Sequence, residues 1–170
     1  METIGKIEGT GSTQQAGARA DDELISPWPR KVLLACDGSK HSAKAANIVA
    51  AMVSPGSKVR VITVQSYEFA AYTGEWGPLS DEPERQERLR SIIRQVFREP
   101  LELLKKSSCE VERTSRLGNP AEQILEEVGE WHPDLLVVGR AGMGGMSRLL
   151  LGSVSTHLVK HTPVPILVVP

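Results

Sequence analysis

The chain has 170 residues, with 20 Lys and Arg against 21 Asp and Glu and a formal net charge of −1. That length suits one domain with a sizeable core, and a balanced charge without a basic block argues against nucleic acid as the partner. No apolar run approaches ~20 residues, so no membrane span is expected.

Residues 1–29 are rich in Gly, Thr, Ser, Gln and Ala without periodicity and read as a flexible tail, with Trp28 between two prolines. They lack the apolar core of a secretion signal. Glu2, Glu8, Asp21, Asp22 and Glu23 disfavour an organellar transit peptide, so the expected compartment is the cytoplasm. Cys36 and Cys109 lie far apart without CxxC spacing and read as buried reduced thiols.

Order is expected from Arg30 onward, giving a domain over residues 30–170. Lys31 to Cys36 is a continuous apolar run, as in a strand covered on both faces. Asp37-Gly38-Ser39 breaks it, and Ser39 can cap a helix whose buried face is Ala45, Ile48, Val49, Met52 and Val53. Pro55-Gly56 stops that helix, and Lys58 to Gln65 reads as a second strand. An aromatic-rich connection, Ser66 to Ser80, follows, with Tyr67, Phe69, Tyr72 and Trp76. Its length suggests either a partial lid or an insertion packed on the surface.

Asp81 opens a charged helix with an apolar stripe of Leu89, Ile92, Ile93, Val96 and Phe97. Pro100 is expected to kink or restart it before Leu101 and Leu104. Cys109 to Ser115 reads as a weak third strand. Asn119-Pro120 with Glu122 starts the next helix, with Ala121, Ile124, Leu125 and Val128 as its buried stripe. Leu135 to Val138 is a fourth strand, Ser153 to about His161 a short helix, and Pro165 to Val169 the last strand. Strict β-α alternation implies a parallel sheet with helices on both faces, and a ligand crevice outside the carboxyl ends of the strands.

Two strand ends carry the small and polar residues such a crevice needs: Asp37-Gly38-Ser39, and the loop in which glycines recur at Gly139, Gly142, Gly144, Gly145 and Gly152 before Ser153. Glycine admits a close backbone approach to an anion, and a helix start adds free N–H donors. No Gly is followed by Lys-Ser or Lys-Thr, which removes the P-loop reading. Gly142-x-Gly144-x-x-Ser147 misses the third glycine of the dinucleotide fingerprint, and no acid follows about twenty residues later.

The pattern Gly139-x2-Gly142-x9-Gly152-Ser153, the Asp37-Gly38-Ser39 turn and the closing Pro163 to Val169 run resemble the universal stress protein family, in its nucleotide-binding branch. The resemblance covers roughly residues 30–170. It implies a Rossmann-like α/β fold with an open parallel five-stranded sheet in the order 3-2-1-4-5. It also implies ATP as the ligand, alone or with magnesium, and a role in stress response.

By the same resemblance, Asp37 sits beside the ribose and adenine, and the backbone of Val64 reads the adenine edge. Gly139 and Gly142 run along the triphosphate, while Gly152, Ser153 and Ser155 supply donors at the following helix start. Val138 is the apolar residue before the loop, and Ala35 and Val154 complete the nucleotide contacts.

Alternatives remain at several positions. Asp37 can simply close an Asx turn, Ser153 can be an N-cap with no ligand, and Val64 is core either way. Gly144 and Gly145 read as flexibility, and Arg140 and Arg148 as solvated surface rather than phosphate clamps. His157 and His161 are spaced for a metal but lack a third ligand. No general base is visible, so hydrolysis is expected to be slow at most. The other readings are an interaction protein that uses no nucleotide and an adenylyl-transferring enzyme. Ile166 to Val169 is a short apolar edge, and pairing with a second copy would give a homodimer.

Overall fold

The computed structural model describes residues 28–66, 83–142 and 151–170. The expectations for the tail before Trp28, for the aromatic residues between Tyr67 and Ser80, for Asp81 and for Gly144, Gly145 and Arg148 lie outside the described residues.

Strand β1 (Lys31–Ala35) has its three central residues, Val32, Leu33 and Leu34, fully buried, as its unbroken apolar run requires. It lies between β2 (Lys58–Gln65) and β4 (Leu135–Gly139), and all pairings are parallel. Strand β3 (Glu110–Leu117) flanks β2 and β5 (Ile166–Val169) flanks β4, giving the order β3-β2-β1-β4-β5. This is the predicted Rossmann-like topology.

Helices α1 (Lys40–Met52) and α2 (Pro83–Leu104) cover one face, around Val32, Leu34, Val59, Val61 and Val137. Helices α3 (Pro120–Trp131) and α4 (Ser153–His161) cover the other, around Leu33, Ile62, Leu136 and Val138. Alternate residues of each strand thus feed two separate cores.

Several local expectations need correction. The first strand ends at Ala35, although Cys36 N–H still donates to the Ile62 carbonyl at 2.9 Å. The buried face of α1 is Ser42, Ala45, Ala46 and Val49, whereas Ile48 is 40% exposed, because small residues let this helix sit close to the sheet. Helix α2 continues through Pro100 as one element instead of restarting there. Pro100 is itself buried between Phe97 and Leu104, so packing against the core outweighs the hydrogen bond the ring removes. Cys36 is buried and Cys109 only half-buried; both are free thiols.

The weak third strand is shifted towards the C-terminus, starting at Glu110 and ending at Leu117, two residues beyond the expected end. What holds it is charge. Arg60 of β2 donates to Glu112 of β3 at 2.8 Å through Nε and to Glu127 of α3 at 2.7 Å through Nη1. Arg116 of β3 donates to the other Glu127 oxygen at 2.8 Å and also pairs with Glu130. Lys31 and Arg60 lie 4.6 Å and 4.5 Å from the Trp131 ring centroid in cation–π contacts. Burial works against the Arg60 charge, but its bonds to Glu127 and Glu112 outweigh that and hold the guanidinium above its ordinary value. The charged sequence of β3 is therefore an internal ladder on the α3 face, and it also protects a sheet edge.

The opposite edge, β5, is apolar. Pro165 and Val169 carbonyls accept from Leu136 of β4 and from Arg140 just after it, so the backbone groups of Ile166 and Val168 point outward by strand alternation.

Candidate functional site

Above the carboxyl ends of β1, β2 and β4 lies a cleft of about 440 Å³, a size typical of small-molecule sites. All ten residues singled out from the sequence line it: Ala35, Asp37, Val64, Val138, Gly139, Gly142, Gly152, Ser153, Val154 and Ser155. Ser39 of the predicted turn lines it too, and residues not singled out for a site join them, namely Ile62, Pro120 and Ile124 on the apolar side and Ser42 at the start of α1. Pro120 and Ile124 were legible only as a helix start and a core stripe. Their position at the cleft depends on how α3 crosses the sheet.

The Asp37-Gly38-Ser39 turn makes the Asx bond foreseen as one alternative: Ser39 N–H donates to Asp37 Oδ1 at 2.9 Å. Gly38 has φ +85°, a conformation that favours glycine. Asp37 Oδ2 faces the glycine loop, and a Cβ on Gly142 would stand 2.7 Å from it. Gly142 thus lets the backbone at this position pass close to the carboxylate. Cys36, just below, is buried, and desolvation with the nearby Asp37 and Glu99 charges holds its thiol protonated. It is an inert wall residue.

Gly139 has a different reason. A Cβ there would fall 2.8 Å from His41 Cβ and 2.9 Å from Ser42 N, so the residue is glycine to admit the first turn of α1. Gly139→Ala is expected to destabilise the fold by about 1–3 kcal/mol in urea denaturation, through overpacking against backbone. A wild-type midpoint would contradict this packing role.

The loop's base is tied on both sides. Gly152 N–H donates to the Arg140 carbonyl at 2.8 Å, and Ser155 Oγ reaches the Arg140 and Gly152 carbonyls at 2.7 Å and 3.0 Å. Ser39 Oγ contacts the Ala141 carbonyl at 3.4 Å. The hydroxyl of Ser155 is therefore committed to the scaffold, and what it offers the cleft is its backbone N–H. Arg140 does not line the cleft. The residue is half-buried, and its Nε is buried without a partner.

Three helix starts meet at this cleft, and they differ in what they leave free. At α1, Ser39 Oγ accepts from Ser42 N–H at 3.2 Å, and Gly139 packs over the first turn. At α3, Pro120 has no N–H, and Asn119 Oδ1 takes those of Ala121 and Glu122 at 3.0 Å and 3.4 Å. At α4 the cap is Gly152, with no side-chain cap bond. The sequence pointed to Ser153 as a cap, but it is the first helical residue. The N–H groups of residues 153–155 make no bond to a described protein group, and they add to the positive end of the helix dipole. Among the described residues, α4 is the one start whose first amides face the cleft uncapped.

Strand β2 outlasts β1 and leaves a reading edge. Ile62 C=O accepts from Cys36 on the β1 side, and Gln65 C=O accepts from Gly118 on the β3 side. Alternation then turns both the N–H and the C=O of Val64 towards β1, which has already ended. A donor and an acceptor side by side at an apolar slot can pair with the edge of a heterocyclic base.

Among the described residues no cluster of three His, Cys, Asp or Glu side chains is placed to hold a metal. His157 and His161 stack on each other at 4.2 Å on the exposed side of α4.

The profile of the universal stress protein family matches residues 29–170. A universal stress protein from Thermus aquaticus is 34% identical over 149 residues, covering 82% of this chain and 98% of that protein. The solved structure of the protein MJ0577 superimposes with a TM-score of 0.71 at 22% identity, covering 82% of this chain and 94% of that one. A universal stress family protein from Arabidopsis thaliana, solved with AMP bound, has a TM-score of 0.57 at 20% identity over 83% and 91% of the two chains. At these identities the structural likenesses speak to the fold. The family match and the Thermus relative go further, and the chain belongs to the universal stress protein family.

Proposed function

We propose that this chain is an adenine-nucleotide-binding member of its family, acting in stress response as a regulatory module in the cytoplasm. ATP, alone or as its magnesium complex, is the ligand. The observation that carries this reading is the uncapped start of α4, facing a cleft whose other wall is apolar. Phosphate oxygens satisfy the free amides of Ser153, Val154 and Ser155, helped by the dipole. The base lies over Ala35, Val64 and Val138, with its edge on the Val64 backbone, and Asp37 faces the sugar. Gly142 and Gly152 lie along the phosphates; a Cβ on Gly142 would press on Asp37 Oδ2 at 2.7 Å and one on Gly152 on the Ala141 and Arg140 backbone at 3.3 Å, so a larger residue at either disturbs the lining. The Arabidopsis relative with AMP supports the ligand class.

The cleft supplies a cradle without an evident base: Asp37 is the one acid on its described lining, and it is engaged by Ser39. Hydrolysis is therefore slow at most, and phosphate release at ordinary enzyme rates from magnesium and ATP would overturn that part. A nucleotide co-purifying with gently isolated protein would exclude an interaction protein with an empty cleft.

The chain forms a homodimer through Ile166–Val169. The β5 edge is apolar and its outward backbone groups are free, whereas the β3 edge is guarded by ion pairs. Val168→Pro removes one outward N–H and no bond to β4, so it is expected to sediment as a folded monomer where the wild type sediments as a dimer. Wild-type protein that is monomeric at micromolar concentration would contradict the dimer.

A further inference from the structure

Helix α4 carries a second feature, at its far end, that the cleft does not use. The buried face of the helix is Ser155 and Leu158, so His157 and His161, one turn apart, both stand on the exposed side. Neither lines the cleft. Their rings lie together, with centroids 4.2 Å apart and planes 25° from parallel.

One of the two rings is already set as a metal ligand. His161 Nδ1 lies 2.8 Å from the His157 carbonyl oxygen. A carbonyl only accepts, so Nδ1 carries the proton, and the lone pair of the neutral ring falls on Nε2. A ring N–H donated to a backbone carbonyl is a common support of a metal-binding histidine, because it fixes the tautomer and the direction of the ring. Among the described residues the His157 ring makes only the stacking contact, so it can turn a nitrogen towards the same ion. The negative end of the α4 dipole also favours a cation at His161, against the charge of Lys160 in the same turn.

We infer that His157 and His161 form an open binding site for a late first-row divalent metal ion, with copper(II) held most tightly. Imidazole nitrogen suits copper, nickel and zinc, and the affinity of such a site peaks at copper along the divalent series. Two protein ligands are too few for a closed structural zinc site, which takes four, so water fills the remaining positions. Once one imidazole holds the ion, the second binds it intramolecularly, which raises the affinity of the pair well above that of a lone surface histidine. The site is separate from the nucleotide cleft and stands whether or not the cleft holds a nucleotide.

The test is titration of the full-length protein, without an affinity tag, with copper(II) and with zinc(II). The wild type is expected to bind copper more tightly than zinc. His157→Ala and His161→Ala should each weaken copper binding at least tenfold, the loss of one arm of a chelate. His132→Asn removes an exposed histidine elsewhere and should leave copper affinity unchanged. Thr156→His combined with His157→Thr keeps the number of histidines but takes one off the shared face, and should bind as poorly as His157→Ala. Wild-type copper affinity in either alanine variant, or in the moved-histidine variant, overturns the site and leaves the pair as a stacking contact on the helix surface. Should the moved-histidine variant lose the wild-type circular dichroism spectrum, the two alanine variants decide by the same comparison.

Discussion

Ser153→Asp is expected to abolish most nucleotide binding while leaving the protein as stable as before, or slightly more so. Ser153 is exposed and is the first residue of α4, and its hydroxyl makes no capping bond there. A carboxylate at a helix start is favourable to the helix itself, by about 0.3–1 kcal/mol. The same carboxylate stands where phosphate oxygens would sit against the free amides of residues 153–155. Like charges about 4 Å apart near a protein surface repel by roughly 4 kcal/mol. Allowing for screening and side-chain rotation, ATP affinity should fall at least about 100-fold, or roughly 2.7 kcal/mol. Titration calorimetry reads the affinity and a thermal melt reads the stability. The two moving in opposite directions is the signature; a parallel loss would indicate damage to the fold, and an unchanged affinity would place the anion elsewhere. Ser153→Ala removes the hydroxyl but not the amide and should bind nearly as well as wild type.

The second large effect concerns stability. Glu127 is 2% exposed and holds Arg60 and Arg116 through different oxygens. Glu127→Ala leaves two guanidinium groups facing each other with their shared acceptor removed. Breaking a buried pair by removing one partner costs about 3–5 kcal/mol. For a domain of this size that lowers the melting temperature by roughly 10 °C. Glu127→Gln keeps hydrogen-bond acceptance without the charge and should fall between the two. Nucleotide affinity measured well below the melting temperature should be unchanged in Glu127→Gln, because Glu127 does not line the cleft. A melt shifted by less than a few degrees in Glu127→Ala would mean that the ladder is surface decoration.

The contrast between these two sites shows what could be read in advance. Apolar runs such as Leu33–Leu34 and Leu135–Val138 announce central parallel strands because both faces are covered, and Asn119-Pro120 announces a helix start because its chemistry is local. Element order was legible for the same reason. The β3 strand reads only as a weak one because its residues are Glu, Arg, Thr and Ser, and only register brings Glu112 beside Arg60 and Arg116 above Glu127. Pro100 misled because local backbone chemistry argues for a break that buried Phe97 and Leu104 override.

At the site, the glycine spacing and the Asp37 turn pick out residues that the fold gathers around one cleft, but not the packing reasons for them. Gly139 is needed by the approach of α1, a packing demand invisible before His41 and Ser42 are placed. Ser153 gave way to Gly152 as the cap, and the missing cap is what leaves the amides free. Pro120 and Ile124 looked like ordinary helix residues, since nothing in a sequence says where a helix start points.

The most direct test is titration of the full-length wild-type protein with ATP in the presence of magnesium, followed by competition with AMP. The account predicts saturable binding of one nucleotide per chain, displaced by AMP and lost in Ser153→Asp. No heat and no displacement at millimolar nucleotide would contradict it, and the uncapped start of α4 would then have to serve some other anion.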